Sequence, residues 1–363
     1  MVQTHARRGP RVRTVRLLLL SMLLALASIA ACTREVVREV PTEVTREVVV
    51  EKAGDPGSLV VYSGRSESLV GPVIKQFGEV TGIKVSVKYG STSAMAATLL
   101  EEGSRSPADV YFAQDPGGLA AVVQLLAPLP DPLLQKVPAW ARSPEKKWVG
   151  ISGRARVVTY NTAKLSEADL PDSLEGFTDP KWRGRIGWPP TNASFQTMVT
   201  AMRIQWGEER TRRWLEGIKA NNPRTYADNT YAVAAVGAGE VDVAFVNHYY
   251  LYRFLQERGE SFPARNYYPR SGGPESLVMV AGAGILATGK NRVNAEKFLD
   301  FLLSQVAQQF FANQTYEYPL VSGVNTLPII KPMDQVKKPE IDMADLKDLV
   351  GTQTLMRQLG IIS

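Results

Sequence analysis

Two adjacent phenols, Tyr249 and Tyr250, stand after a β-branched run, Val241 to Asn247, and open an amphipathic stretch closed by Gly259. Successive residues of a strand point to opposite faces, so neighbouring tyrosines can aim at one point only where the chain changes direction. The step from strand to helix at Asn247-His248 is such a place. A phenolate is a strong anionic oxygen donor, and a hard trivalent cation favours donors of that kind, as hard divalent ions favour carboxylates. Binding must expel each phenol's proton, ordinarily held with a pKa of about 10, so affinity should fall as pH falls. The pair alone is weak evidence. The chain has 13 tyrosines, including a second pair, Tyr267-Tyr268, with Tyr316 and Tyr318 near it, and amphipathic packing is the commoner use of such residues.

Signatures of catalysis are missing from the sequence. It has no Gly-rich phosphate loop with its lysine, no nucleophile elbow and no zinc-binding histidine pair, and its two histidines are His5 and His248. GAGIL, from Gly282, is a lone Gly-x-Gly without a third glycine or a following acid, and reads as a packing feature.

The N-terminus carries an address. Residues 1–16 hold five arginines and no acid, and an apolar run of 15 residues follows, Leu17 to Ala31. That run is shorter than the roughly 20 residues a membrane-crossing helix needs. It ends in Ile29-Ala30-Ala31-Cys32, which resembles a bacterial lipobox and implies cleavage before Cys32 and acylation of its thiol. Arg7-Arg8 leaves a twin-arginine export route open. With the single cysteine committed to a lipid, neither a disulfide framework nor a thiolate metal site is available. The formal net charge of +6 loses its meaning once the five leader arginines are removed, leaving 37 basic against 36 acidic residues. No nucleic-acid footprint remains, and membrane attachment is expected through the lipid alone. Residues 33–54 repeat Arg-Glu-Val and Thr-Glu-Val units and read as a solvated tether, with a short coiled coil as the other reading.

The elements that must position the tyrosines follow from Gly57 onward, where about 300 residues suggest two lobes. LVVYS, KVSVKYG and ADVYFA read as strands, alternating with helical stretches that begin at Leu69, Ser93 and Gly117. A second set follows, with RARVVTYN, GRIGW and VDVAFVN as strands and SFQTMVTAMRIQWG, RTRRWLEGIKAN and YYLYRFLQERG as helices. VMVAGAGILA is a late strand, and NAEKFLDFLLSQVAQQFFAN a helical pair. Strand and helix in alternation predict mostly parallel sheets covered on both faces, with ligands at the carboxyl ends of strands. The reading is an α/β chain of two lobes, 57–152 with 283–363 and then 153–282, joined by extended hinge strands, the tail packing on the first lobe.

VVYSGRSE, FGEVTGIKV, SPADVYFAQD, SGRARVVTYN, DPKWRGRIGWPPTNASF, GEVDVAFVNHYY and the late EYPL, in this order and spacing, resemble the ferric-ion-binding proteins of ABC importers. The likeness covers Leu59 to about Val324. It implies the type II periplasmic-binding-protein fold, Fe(III) as cargo, a permease and ATPase as partners, a monomer, and an extracytoplasmic place in the cell envelope. It makes Tyr249 and Tyr250 paired ligands and Tyr160 a third. Where some members add a histidine or tyrosine and a glutamate, this chain has Ser66 and Glu67, and then Gln114 with Asp115. A synergistic anion such as carbonate is therefore implied, with Arg65 as its first partner and Arg154 or Arg156 as a second; an arginine fork suits a planar oxyanion. Because alternate strand positions point the same way, one of Arg154 and Arg156 is expected in a surface salt bridge. Asn192, Ala193 and Ser194 match an anion-binding turn, with a simple helix cap an equal reading of Asn192 or Ser194. Asn229 and Asn247 match positions that steady ligands through hydrogen bonds, and His248 is expected to face away from the metal. The competing readings are the same fold with an anionic or organic cargo, an enzyme on this scaffold, and a surface adhesin.

Overall fold

The computed structural model describes residues 55–363. The leader, Cys32 and the tether repeat lie outside the described residues. The first lobe opens with β1 (Ser58–Ser63), α1 (Glu67–Thr81), β2 (Lys84–Tyr89), α2 (Thr92–Glu102), β3 (Val110–Ala113), α3 (Pro116–Ala121) and α4 (Asp131–Leu134). The long β4 (Val149–Asn161) leads to β5 (Ile186–Trp188), α5 (Ala193–Trp206), α6 (Glu208–Ala220), β6 (Arg224–Thr225), α7 (Asn229–Gly237), β7 (Val243–Asn247), α8 (Tyr249–Arg258) and β8 (Ala264–Tyr267). The chain returns through β9 (Val278–Ile285), α9 (Arg292–Leu302), α10 (Gln305–Gln314), β10 (Tyr318–Pro319) and α11 (Leu349–Gln358).

Local chemistry explains most of these elements. In α1, Leu69, Val70, Val73, Ile74 and Phe77 form one buried stripe, and Gly82 ends the helix in the left-handed region with its N–H on the Gly78 carbonyl. The helix α7, absent from the strand-and-helix reading of the sequence, starts because the Asp228 carboxylate accepts the N–H groups of Thr230 and Tyr231. Conversely, the apolar stretch from Gly117 stays helical only to Ala121 before tightening into a 3₁₀ turn, Val123–Leu125, at its β-branched residues.

Two sheets share one strand. β1, β2 and β3 are parallel, β9 runs antiparallel to β3, and the first half of β4 runs antiparallel to β9. In the second sheet β5, β6 and β7 are parallel, while the second half of β4 lies antiparallel to β7 and β8. On β4, Val149 to Ala155 pair with β9 and Arg156 to Tyr160 pair with β7. The lobes therefore hand over between Ala155 and Arg156 rather than at 152/153. β9, from Val278 onward, belongs wholly to the first sheet, which moves the second boundary back from 282/283. Hydrogen-bond register sets these limits, and hydropathy does not reveal it.

The tail differs from expectation too. Leu355 and Met356 of α11 join the second lobe's core with Phe195, Met198 and Trp214, and the Thr352 and Thr200 hydroxyls lie 2.7 Å apart. The preceding turn, Met343–Lys347, packs on α3 of the first lobe, which α11 also touches. Among the described residues, no helix is long and apolar enough to cross a membrane.

Candidate metal and anion site

The carboxyl ends of β1, β3, β5 and β7 face one another across the handover on β4, and each delivers polar residues there. β1 turns at Ser63, whose hydroxyl donates to the Arg65 carbonyl at 2.9 Å and accepts the Arg65 N–H at 3.1 Å. Gly64 in this turn must be glycine, since a Cβ would stand 2.4 Å from the Thr92 hydroxyl and 2.8 Å from its Cα. β7 runs into His248, and α8 opens with Tyr249 and Tyr250. Their rings stack with centroids 4.2 Å apart, so the strand-to-helix step brings both phenols to one side. Tyr249 is fully buried, and its hydroxyl has no hydrogen-bond partner among the described residues.

Three arginines converge on this pair. Arg65 is 1% exposed and Arg154 and Arg156 are 0% exposed, so neither β4 arginine is a surface residue, and neither forms a salt bridge among the described residues. The expectation that one of them sits at the surface fails because both fall at the handover, where two sheets and two lobes cover the strand. Arg65 Nη2 donates to a carboxylate oxygen of Glu317, whose other oxygen accepts the Ser152 hydroxyl. Arg156 is held by the Asn247 side-chain oxygen at 3.0 Å and the Phe245 carbonyl at 2.8 Å. Among the described residues, the Arg154 guanidinium donates a hydrogen bond only to the Val280 carbonyl, at 3.3 Å. Nε and Nη1 of both Arg65 and Arg154, and Nε of Arg156, lack partners among the described residues.

Burial and mutual repulsion dominate the electrostatics. Burial works against the charged form of Arg65, but Glu317, with smaller help from the two phenols, outweighs it and holds the pKa above its ordinary value. Burial, then the charge of Arg65, lowers Arg154; burial, then Arg154, lowers Arg156 to about 9. Tyr250 is pushed well above the usual phenol range by burial and by Tyr249, against the pull of Arg65 and Arg154. Burial draws His248 down to about 3, leaving it neutral. Its ring stacks on Tyr318 at 4.6 Å and its Nδ1 accepts the Ala155 N–H, so it turns toward the hinge.

Across the cleft, Gln114 Nε2 of the first lobe donates to the Ser194 hydroxyl of the second at 2.9 Å, and Asn247 Nδ2 donates to the same oxygen at 3.2 Å. Asp115 caps α3 through the Gly118 N–H and accepts the Thr197 hydroxyl of α5 at 3.2 Å. Burial raises its pKa, opposed by those bonds and by Arg154. The lobes are thus shut on each other. Asn192 caps α5 by accepting the Ser194 N–H at 3.0 Å, and Asn229 is buried with neither amide atom partnered among the described residues.

Tyr160 does not join the pair. Its partner on β7 is Val243, whereas Arg156 lies opposite Asn247. Four residues of strand place it about 13 Å from the arginine end. It lines a separate cavity with Glu167, Tyr252, Arg265 and Tyr267. Glu317 and Ser152 are the residues that sequence reasoning missed, although Glu317 stands in the EYPL segment. Among the described residues no three His, Cys, Asp or Glu side chains cluster as metal ligands.

A closed cleft between two α/β lobes, with its polar groups at strand ends, is the architecture of a solute-binding protein. The sequence model of the bacterial extracellular solute-binding proteins matches residues 105–342, and the chain belongs to that family, which serves transport. Its relatives include proteins described as ferric-binding. The major ferric iron-binding protein of Neisseria meningitidis serogroup B is 35% identical, over 84% of this chain and 93% of that protein. Iron-bound HitA from Pseudomonas aeruginosa superposes with a TM-score of 0.81 at 36% identity, covering 84% of this chain and 100% of HitA. A Trichodesmium protein in complex with iron and citrate ligands superposes with a TM-score of 0.73 at 29% identity, covering 84% of this chain and 100% of that one.

Proposed function

We propose that this chain captures ferric ion between its lobes and delivers it to an ABC-type permease. Tyr249 and Tyr250 are the protein ligands, as phenolates, and an oxyanion held by Arg65 and Arg154 completes the shell. The observation that carries this reading is the stacked, buried tyrosine pair facing guanidinium N–H groups that have no partner. Buried polar groups are almost always satisfied, so these N–H groups and the Tyr249 hydroxyl call for a ligand that offers both positive charge and acceptor oxygens. Ferric ion with an oxyanion is such a ligand.

Charge supports the same composition. Three buried arginines face two buried carboxylates, Glu317 and Asp115, leaving one positive charge in excess. A trivalent ion with two phenolates adds one more, so a dianion such as carbonate or hydrogen phosphate restores balance. Arg156, tied by Asn247 and the Phe245 carbonyl, steadies the turn beneath the tyrosines rather than reaching for the anion. Cys32 is proposed as the lipid attachment site; labelled palmitate should be incorporated by the parent chain and lost on Cys32→Ala.

The test of the cargo is a visible absorption titration of residues 57–363 with ferric citrate, with and without bicarbonate. A red-orange tyrosinate-to-iron band saturating at one iron per chain, and dependent on bicarbonate, is the result that upholds the reading. A colourless titration overturns it and leaves the same cleft to an anionic or organic solute.

A further inference from the structure

Glu317 is 0% exposed, and both of its oxygens are spoken for: one by Arg65, the other by Ser152 of β4. Delivering it costs the backbone some strain. Tyr316, just before it, takes a φ of 59°, a left-handed conformation that an aromatic residue rarely adopts. The neighbouring packing enforces that conformation: Thr315 is anchored to the Phe311 carbonyl at 2.8 Å, the Tyr316 ring lies against Tyr252 at 5.7 Å, and Tyr318 stacks on His248. Strained residues held in this way concentrate at functional sites. Yet both Glu317 oxygens are already engaged inside the protein, one by Arg65 and the other by Ser152.

We propose that Glu317 makes oxyanion capture conditional on the metal: its carboxylate, locked between Arg65 and Ser152, cancels enough arginine charge that the empty cleft holds an oxyanion weakly and the metal-loaded cleft holds it firmly. This rests on the ferric reading. Without Glu317 the empty site would carry two excess positive charges and would hold an oxyanion ahead of the metal, and at equal anion occupancy the metal would meet a field one charge more positive than in the parent. With it, the arginines keep a single excess charge, and the anion's strongest attraction arrives with the trivalent ion.

The experiment measures two affinities of the same variant. Glu317→Gln keeps the shape and removes the charge. Iron-free E317Q is expected to bind inorganic phosphate about tenfold more tightly than the parent, and to bind ferric ion, presented as ferric nitrilotriacetate at fixed bicarbonate, about tenfold more weakly. Opposite signs are the signature, because a residue that merely positions Arg65 or supports the fold would weaken both. Both affinities falling, or neither moving, overturns the proposal. Should E317Q fail to fold, Gln114→Glu adds a carboxylate at the half-buried cleft edge, and the iron-free variant should bind phosphate about tenfold more weakly; an unchanged phosphate affinity would count against the proposal just as directly. A parent chain that stays colourless with ferric ion sinks the ferric reading instead, and the phosphate titrations still judge Glu317.

Discussion

Tyr249 and Tyr250 matter here because a phenol becomes a strong ligand only when something takes its proton. Burial raises Tyr250 well above its ordinary pKa, so at neutral pH its phenol gives up a whole proton when iron binds. The sign follows from mass action: proton release makes log affinity rise with pH, by about one per pH unit for the Tyr250 proton. Competition with citrate between pH 6 and 8 checks the slope, and a flat profile would remove the phenolates from the mechanism. Tyr249→Phe or Tyr250→Phe should each lower iron affinity by more than about 100-fold, whereas Asn229→Ala, if it acts through hydrogen bonds to a ligand, should fall within about 10- to 100-fold. A ranking in which Asn229 outweighs either tyrosine would mean that the ligands have been misassigned.

At the level of strands and helices, β4 does most to build the site. It carries Ser152, Arg154 and Arg156 on one face and passes from one sheet to the other between Ala155 and Arg156. Its first half contains Gly150, where a Cβ would meet the Ala141 carbonyl oxygen at 2.7 Å and Leu320 at 2.9 Å. Gly150→Ala should therefore destabilise the chain by about 1–3 kcal/mol in chemical denaturation. No loss would show that the 139–141 turn can move away at little cost. RARVVTYN is visible as a strand from its β-branched residues, but Val149 to Gly153 is not, because glycine and serine carry little strand signal and only pairing with β9 extends it. Helix α7 escaped for the opposite reason, since its small residues show no amphipathic stripe and its start depends on the Asp228 cap.

For the two lobes together, the important contacts are those across the cleft. Gln114 to Ser194, Asp115 to Thr197 and Asn247 to Ser194 link closure to the turn that carries the tyrosines. Opening must break the first two, so ligand release and lobe separation are one event energetically. Gln114→Ala should speed iron release several-fold and enlarge the iron-free chain's radius of gyration in small-angle scattering, while leaving the colour of the loaded form in place. A change of colour without a change of release rate would instead make Gln114 a ligand.

Local signals were enough for the class of fold and its strand ends, because periodicity and turn residues are properties of neighbouring residues, whereas Tyr249, Tyr250 and Arg65 were marked out by the likeness of their segments to a family's motifs. What they could not supply was distance along a paired strand. Tyr160 and Arg156 share a face of β4 and differ only in register against β7, which sends one to a separate cavity and the other to the cleft. The burial of both Arg154 and Arg156 depends on where two sheets exchange a strand, and the placement of α11 on the second lobe depends on which core has room for Leu355 and Met356. Glu317 reaches Arg65 across 252 residues through a strained turn. Long-range pairing of that kind has no local sequence signature, since its free energy arises only once both lobes are folded.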